Sequence, residues 1–156
     1  MKYFWTIIIA MVPIIELRGA IPIAIGWGVD PWVALAMCTV ANMVPVPIIY
    51  FFARKFLLWG AKFEGNFVGK VCNFFLVKGE RAGQKLVSKT GRDGLFIALV
   101  LFVGIPIPGT GAWTGTLGAS FLDMGFKSTV AAVTLGVLLA GIIMAVGSMG
   151  VISVFM

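Results

Sequence analysis

The chain has 156 residues, of which 60% are hydrophobic and 12% charged, and its mean hydropathy is +1.06. A soluble domain of this length needs a charged surface that such a composition does not supply. The composition therefore excludes an ordinary soluble domain and predicts an all-α integral membrane protein. Residues 1–156 are enough for a single membrane domain and too few for a second one.

The basic residues are concentrated in the middle of the chain. Nine of the twelve Lys and Arg residues lie between Arg54 and Arg92. Basic loops of a membrane protein stay on the cytoplasmic side. Segment 54–92 is therefore predicted to be a cytoplasmic connector in a protein of the cytoplasmic membrane. Because these residues are interleaved with apolar sequence rather than with a base-stacking surface, no nucleic-acid partner is predicted.

The first apolar region is interrupted between Pro13 and Pro22. Tyr3–Ile15 and Ala20–Gly28 are each shorter than the ~20 helical residues that cross a bilayer. A short helix, a polar turn and a second short helix are typical of a re-entrant hairpin, which must be covered by protein or water. One continuous helix kinked at both prolines is the alternative.

The first full-length span is predicted from Trp32 to Phe52, which holds no charged residue. Asp30 is placed to cap its first turn. Pro45 and Pro47 lack N–H groups, so backbone carbonyls are left free near the middle of the span. Asn42 lies beside them, and it either bonds to a neighbouring helix or lines the substrate path.

The basic connector is amphipathic. Phe63, Phe67, Val71 and Phe74 recur at helical spacing, with lysines between them and beyond. The pattern predicts a helix in the headgroup layer, with a turn at 78–81 into a second short helix. A topology anchor without a substrate role is the alternative.

The second half repeats the plan of the first. A turn at 90–94 precedes the short apolar segment Leu95–Gly104, and a break follows from Ile105 to Gly115. Two prolines and two glycines between 106 and 111 are incompatible with an ordinary helix. Thr116–Leu122 leads out of the break. The last span, 128–156, has no charge, and its glycines at 136, 141, 147 and 150 allow close approach of a second copy in a homodimer.

The two halves predict an inverted repeat. Residues 1–53 and 93–156 would each hold a re-entrant helical hairpin followed by a full transmembrane helix. Because one full span separates the hairpins, they would enter the membrane from opposite sides. Such repeats place the working site near the bilayer midplane.

Glu16 and Arg18 are the two charges inside the first break. Burial favours the neutral form of a carboxyl group, so Glu16 is expected to bind and release a proton. Arg18 stays charged and is expected to bind or gate an anionic group. Residues two apart do not meet on a helix, so either the backbone unwinds or each side chain points elsewhere. The alternative is a structural role in which the two residues neutralise each other or tie down the opposite hairpin.

The predicted substrate and proton pathway consists of residues from both breaks and Asn42. Exposed amides at a helix start favour anions. Trp113 is predicted to form a wall of the pathway, and an interfacial anchor is the alternative. Arg54, Arg92 and Asp93 are predicted at the cytoplasmic edge. The sequence has no histidine, no nucleophile–base pair and no P-loop, so neither an enzyme, a metal site nor a cofactor is predicted. The pathway residues are Glu16, Arg18, Gly19, Asn42, Pro106, Pro108, Gly109, Thr110, Gly111, Trp113 and Thr114.

Both breaks resemble those of the small multidrug export protein family of prokaryotes. Pro13-Ile-Ile-Glu-Leu-Arg-Gly-Ala-Ile-Pro22 and Pro106-Ile-Pro-Gly-Thr-Gly-Ala-Trp-Thr-Gly115 carry the resemblance, which covers nearly the whole chain. That family is similar in architecture to the DedA superfamily, whose relatives include proposed undecaprenyl phosphate flippases and eukaryotic lipid scramblases. The resemblance implies that Glu16 matches an acidic residue of the first DedA hairpin. The arginines of the second DedA hairpin have no basic counterpart here before Lys127.

Together these features predict a transporter for an amphipathic or anionic, lipid-like or drug-like substrate, coupled to protons through Glu16. Its partners would be membrane lipids, the substrate and a second copy of the chain. A passive channel or lipid scramblase of the same fold is one alternative. A non-transporting membrane scaffold is the other.

Overall fold

The computed structural model describes residues 1–13, 15–63, 65–107 and 110–155. These residues form seven helices and no strand, which confirms the all-helical prediction. The helices are α1 (Lys2–Met11), α2 (Glu16–Gly26), α3 (Pro31–Met43), α4 (Pro45–Ala61), α5 (Phe67–Gly104), α6 (Ala112–Phe121) and α7 (Phe126–Phe155).

Helices α1 and α2 fold back on each other. Lys2 Nζ donates to the carbonyl oxygen of Trp27 at 2.6 Å. One continuous helix would separate these residues by about 38 Å, so the kinked-helix alternative is wrong. Helix α2 begins at Glu16, which places Arg18 inside a helix rather than in the predicted turn.

Helices α3 and α4 form one long apolar element with a bend at Val44. It is a candidate membrane span over Pro31–Ala61, 31 residues in length. The predicted end at Phe52 is wrong, because α4 continues through Arg54 and Lys55. No proline follows Pro47 in α4 to stop the helix, and long basic side chains can extend from a buried stem towards the headgroups.

Helix α5 is longer than predicted. The predicted turn at 78–81 is wrong, because the helix runs through it and is interrupted only at Gly91, with φ 71° and ψ 178°. Residues 80–86 are rich in strong helix formers, which outweigh Gly79 and Gly83. Phe67 and Phe74 are exposed on this helix. The side chains of Lys78 and Lys85 lie outside the part that the structure describes.

The end of α5 and α6 form a second helical hairpin. Gly115 of α6 packs directly against Val103 and Leu99 of α5. Helix α6 begins at Ala112, so the break ends earlier than the predicted Gly115. The turn of this hairpin meets the turn of the first hairpin through Glu16 and Arg18.

Helix α7 connects the two hairpins along their length. Gly136 lies against Val100 and Val103 of α5, and Gly141 lies against Leu17 and Leu35. Buried residues of α2, α3, α5, α6 and α7 form one core cluster. Phe126–Val151 of this helix is the second candidate span found among the described residues.

The outer surface is apolar. Val40, Ile48 and Phe52 of the first span are about two-thirds exposed, at 68%, 65% and 67%. Exposed Trp32 and Trp59 lie near its two ends, separated by about 40 Å of helix. Aromatic residues at both ends of an apolar span are typical of membrane interfaces. The protein is therefore a membrane protein with transmembrane helices, as predicted.

Candidate functional site: the junction of two helical hairpins

The carboxylate of Glu16 lies at the start of helix α6. Its Oε2 accepts the amide N–H of Ala112 at 3.2 Å, and its Oε1 accepts the amide N–H of Trp113 at 3.1 Å. Glu16 is only 4% exposed. An acidic residue of the first hairpin therefore caps the broken helix of the second.

Helix α6 needs this cap because its own sequence does not provide a complete one. Its N-cap residue is Gly111, which has no side chain to accept the amides of the first turn. Thr114 Oγ1 accepts the Gly111 N–H at 2.9 Å, which leaves the next two amides to Glu16. A side chain at position 111 would collide with the Glu16 carboxylate, so the close contact requires glycine.

The guanidinium of Arg18 binds the opposite side of the same break. It donates to the carbonyl oxygens of Val103 at 3.0 Å and Ile105 at 3.1 Å, and also to those of Ile107 and Thr110. These carbonyls belong to the last turn of α5 and to the chain that follows it. Arg18 therefore satisfies acceptors that the end of α5 leaves free.

The two charged side chains lie at the ends of two consecutive helices, Glu16 at the start of α6 and Arg18 at the end of α5. The negative group is at the helix N-terminus and the positive group at the helix C-terminus, the arrangement that favours both dipole ends. Glu16 and Arg18 do not use each other as hydrogen-bond partners, in agreement with their two-residue spacing. Both alternatives left open by the sequence apply: the two side chains point to different partners, and the backbone at Glu16 is not helical, with φ 49°.

Glu16 adopts this position with a left-handed backbone. Its φ is 49°, and Asp123 at φ 53° is the only other non-glycine residue with positive φ among those the structure describes. A Glu in this region is uncommon and strained. Its carboxylate bonds to α6 and its backbone N–H bond to Val12 O at 3.0 Å both hold it there.

The remaining residues of the second break bind each other. Thr110 Oγ1 donates to Ile105 O at 3.1 Å and Ile107 O at 2.9 Å. Pro106 lies in the non-helical chain, half-buried. The predicted pathway residues Pro108 and Gly109 lie outside the described residues. Thr114, placed by the sequence in the break, is in the first turn of α6.

Gly19 has a packing role in α2. A Cβ at this position would collide with the side chain of Ile15, on the preceding turn. The absence of a side chain lets the chain turn tightly just before α2. The structure therefore brings Gly19 close to the junction, but it gives this residue no contact across it.

Trp113 lines an apolar groove of about 430 Å³ between α4, α5 and α6. Its backbone N–H is bonded to Glu16, and its indole Nε1 is buried without a partner among the described residues. The predicted wall residue is therefore the point where the groove meets the junction. The other lining residues include Ile49, Phe52, Ala53, Phe56, Leu117 and Phe121.

Asn42 is fully buried in α3. Neither its Nδ2 nor its Oδ1 has a partner in the described part of the chain, and the same holds for Thr39 Oγ1 one turn earlier. The neighbouring Met43 Sδ accepts from Thr134 Oγ1 of α7 at 3.7 Å. Of the two interpretations of Asn42 that the sequence left open, a hydrogen bond to a neighbouring helix has no support among the described contacts.

Arg54 is paired across helices rather than free at the edge. Its guanidinium forms an ion pair with Asp123, which follows α6, and both side chains are about half exposed at 44% and 58%. Ser120 Oγ also donates to Tyr50 O at 3.1 Å, so α4 and α6 lie side by side. Arg92 and Asp93 are exposed on α5, next to the break at Gly91.

A family model supplies the identification. The model described as "Putative small multi-drug export protein" matches residues 16–143, which begins at Glu16 and includes every predicted pathway residue. The chain belongs to this family. No curated protein and no solved structure matches the chain. The family description is that of a transporter, a class that is generally not enzymatic.

For this member of the export family, sequence reasoning found the two charges but missed their partners. The partners are backbone groups: the amides of Ala112 and Trp113 and the carbonyls from Val103 to Thr110. One signal was present, because Gly111, the residue before Ala112, has no side chain that could cap the helix start. Asp123 was missed as the partner of Arg54, and Thr39 was missed as a buried polar residue. Among the described residues, no three His, Cys, Asp or Glu side chains are grouped as a metal site requires.

Proposed function

We propose that this protein is a secondary transporter of the cytoplasmic membrane that moves an amphipathic or anionic, lipid-like molecule and is coupled to protons through Glu16. The observation that carries the proposal is the contact between the Glu16 carboxylate and the first amides of α6. This contact joins the two hairpins at their turns. A change in the charge of the Glu16 side chain therefore changes the strength of the hydrogen bonds that join the two hairpins.

Protonation weakens this junction. A carboxylate accepts two charge-assisted hydrogen bonds here, whereas a neutral carboxylic acid keeps one good acceptor and presents an O–H to a second donor. The dipole of α6 also attracts the anion and not the neutral acid. In the proposed cycle, proton uptake by Glu16 loosens the hairpin turns, and proton release closes them again.

The substrate's anionic group and the Glu16 carboxylate compete for the same amides. Helix N-termini bind anions, and Glu16 occupies this position in the present state. A neutral Glu16 yields the position to an incoming anion, and the carboxylate displaces the anion later. Arg18 acts as a gate in this scheme, because its guanidinium holds the carbonyls on the other side of the break.

The proposed membrane arrangement is an inverted repeat of two re-entrant hairpins with the 54–92 connector on the cytoplasmic side. Two features support it. The hairpin turns meet each other through Glu16 and Arg18, and the open end of the first hairpin at Lys2 and Trp27 lies at the start of the first span. A common origin with DedA proteins is part of this proposal.

A homodimer is proposed as the working unit. A Cβ added at Gly147 or Gly150 of α7 would have no described atom within 4 Å, whereas Gly136 and Gly141 pack inside the chain. Gly147 and Gly150 therefore leave a surface without side chains that a second copy can approach closely. Crosslinking in native membranes should yield a dimer through cysteines placed at 147 or 150 and not through cysteines at the buried positions.

The transport proposal is tested in proteoliposomes with an imposed pH gradient. The probes are a fluorescent anionic lipid, a short-chain polyprenyl phosphate and a lipophilic cationic dye. We expect gradient-dependent flux of at least one anionic probe, and Glu16→Gln should abolish the dependence on the gradient. If Glu16→Gln leaves flux and its pH dependence unchanged, the coupling role is wrong.

A lipid scramblase is the second candidate, favoured by the open, apolar groove at Trp113. Flux of the lipid probe in both directions, insensitive to the gradient, would support it. The absence of any flux for all three probes would favour the scaffold role, in which Glu16 and Arg18 serve only to join the hairpins.

A further inference from the structure

Helix α6 is held at each end by an acidic residue whose own backbone is left-handed. Glu16, with φ 49°, caps its first turn. Asp123, with φ 53°, follows its last turn and forms the ion pair with Arg54 of α4. In the part of the chain that the structure describes, no other residue except glycine has a positive φ. Backbone outliers of this kind cluster at clamps and switch regions, and here both belong to the ends of one helix.

Asp123 occupies a position that is usually glycine. The N–H groups of Asp123 and Met124 donate to the carbonyl oxygens of Ser120 and Ala119, at 3.4 Å and 3.0 Å. This pair of bonds is the usual C-terminal turn of a helix, whose left-handed residue is most often glycine because a Cβ is unfavourable there. The carboxylate placed at this position reaches Arg54. A contact with another helix therefore accompanies the local strain.

Helix α4 binds the end of α6 at a second point. Ser120 Oγ donates to the carbonyl oxygen of Tyr50 at 3.1 Å, one turn before the Arg54–Asp123 pair on both helices. Two polar contacts, one buried and one half-exposed, therefore fix the last turn of α6 to α4. The first turn depends instead on the Glu16 carboxylate, which belongs to α2.

Between its ends, α6 contributes no long side chain to the core. Small side chains bury little apolar surface and make few contacts each, so they hold a helix in place less strongly than leucines would. Free volume lies on both flanks, in a groove of about 430 Å³ against α4 and another of about 240 Å³ against α5. Helix α6 therefore has space for sideways movement. Its buried residues are Ala112, Gly115, Thr116, Ala119 and Ser120.

We propose that α6 is the moving element of this protein and that it swings about its C-terminal end. The pivot consists of the two contacts with α4, made by Asp123 and Ser120. The releasable contact is the Glu16 carboxylate at the first turn. The proposal rests on the transport function above and names the part that moves. From Ala112 to Asp123 the helix is about 16 Å long, so the displacement increases from the pivot towards the hairpin junction.

The test measures two distances across the α4–α6 groove by electron paramagnetic resonance of nitroxide pairs. One label replaces Phe52 of α4, and the other replaces Leu117 or Phe121 of α6, all of which line the groove. Leu117 is separated from Asp123 by about 9 Å of helix and Phe121 by about 3 Å. Glu16→Gln, which removes the charge at the first turn, should therefore change the distance to 117 at least ~2-fold more than the distance to 121.

Variants at the pivot provide the matched comparison. Asp123→Asn with Ser120→Ala removes both contacts with α4 while keeping a residue at 123 that tolerates left-handed backbone. Added to Glu16→Gln, this pair should make the two distances change by similar amounts. The control is Lys127→Gln with Ser128→Ala, which alters two exposed residues at the start of α7 and should preserve the unequal change.

Equal changes of both distances in Glu16→Gln, or no change, overturn the proposal, as does an unequal change that survives loss of the pivot. If the labelled chain or Glu16→Gln does not fold, hydrogen–deuterium exchange of unlabelled Glu16→Asp takes its place. The first half of α6 should then exchange roughly 10-fold faster than in the native chain, while residues 119–123 keep their protection. Uniform loss along α6, or none, refutes the pivot.

The distances are measured without substrate, so the two proposals can fail separately. A swing of α6 in a chain that shows no flux in proteoliposomes refutes the transport function and leaves the moving helix standing. Gradient-dependent flux in a chain whose α6 does not move refutes the swing alone.

Discussion

The Oε1 atom of Glu16 accepts the backbone N–H of Trp113 at 3.1 Å, although the two residues are 97 positions apart in the chain. This bond and its neighbour to Ala112 join the turn of one helical hairpin to the first turn of another. Arg18 completes the junction on the carbonyl side. The junction therefore depends on two side chains of one hairpin and on backbone groups of the other.

Glu16→Gln should destabilise the protein by about 2 kcal/mol or more, because a neutral amide loses the charge and turns its NH2 towards one of the donors. Thermal unfolding in a mild detergent measures the loss. Asp30→Asn is the matched control, since Asp30 caps α3 from its own chain segment by accepting from Trp32 and Val33. Asn is an equally good N-cap, so the control should change stability by less than about 0.5 kcal/mol.

Arg18→Lys should weaken the junction although it keeps the charge. An ammonium group on a flexible stem cannot reproduce the planar fork that serves carbonyls from Val103 to Thr110. We expect a loss of roughly 1–3 kcal/mol of unfolding free energy. Lys2→Gln, which alters an exposed bond to Trp27 O, should cost less than about 1 kcal/mol. Equal costs for the two variants would contradict a special role for the guanidinium.

Gly111→Ala should be harmful for steric reasons alone. Gly111 has φ −116°, which alanine adopts freely, but its Cβ would collide with the Glu16 carboxylate. The expected cost is about 1–3 kcal/mol. Gly118→Ala, in the same helix with no described atom within 4 Å, should instead be neutral or stabilising by up to about 1 kcal/mol.

A double-mutant cycle sharpens this prediction. Combining Gly111→Ala with Glu16→Asp shortens the carboxylate that causes the collision. The two changes should therefore be less costly together than the sum of their separate effects. Simple additivity would show that the collision lies elsewhere.

Replacing glycines of α7 with alanine should affect the unfolding free energy differently at packed and at open positions. A Cβ at Gly136 would lie 2.9 Å from the carbonyl oxygen of Val100 and closer still to Val103, and neither can move without disturbing α5. Gly136→Ala should cost roughly 1–3 kcal/mol. Gly147→Ala has open space and should be neutral or stabilise the single chain by up to about 1 kcal/mol, as at Gly118. Urea or thermal unfolding of both variants in the same detergent provides the comparison.

Sequence periodicity located most helices but misjudged several ends. The turn expected at 78–81 does not form, since Gly79 and Gly83 among strong helix formers do not stop the helix. The break after Ile105 ends at Gly111 rather than Gly115, because a carboxylate from the other hairpin stabilises the first turn of α6. Local patterns carry no information about a cap that arrives from 96 residues away.

The sequence by itself determined that this is a helical membrane protein with two interrupted apolar regions, and it drew attention to Glu16 and Arg18. Those conclusions follow from composition and from proline and glycine chemistry, which act within a few residues. Only the tertiary structure decided what the two charges do. Every residue carries the same backbone groups, apart from the N–H that proline lacks, so residue types do not show which amides and carbonyls bind Glu16 and Arg18. Those partners are defined only once the fold brings the two hairpin turns together.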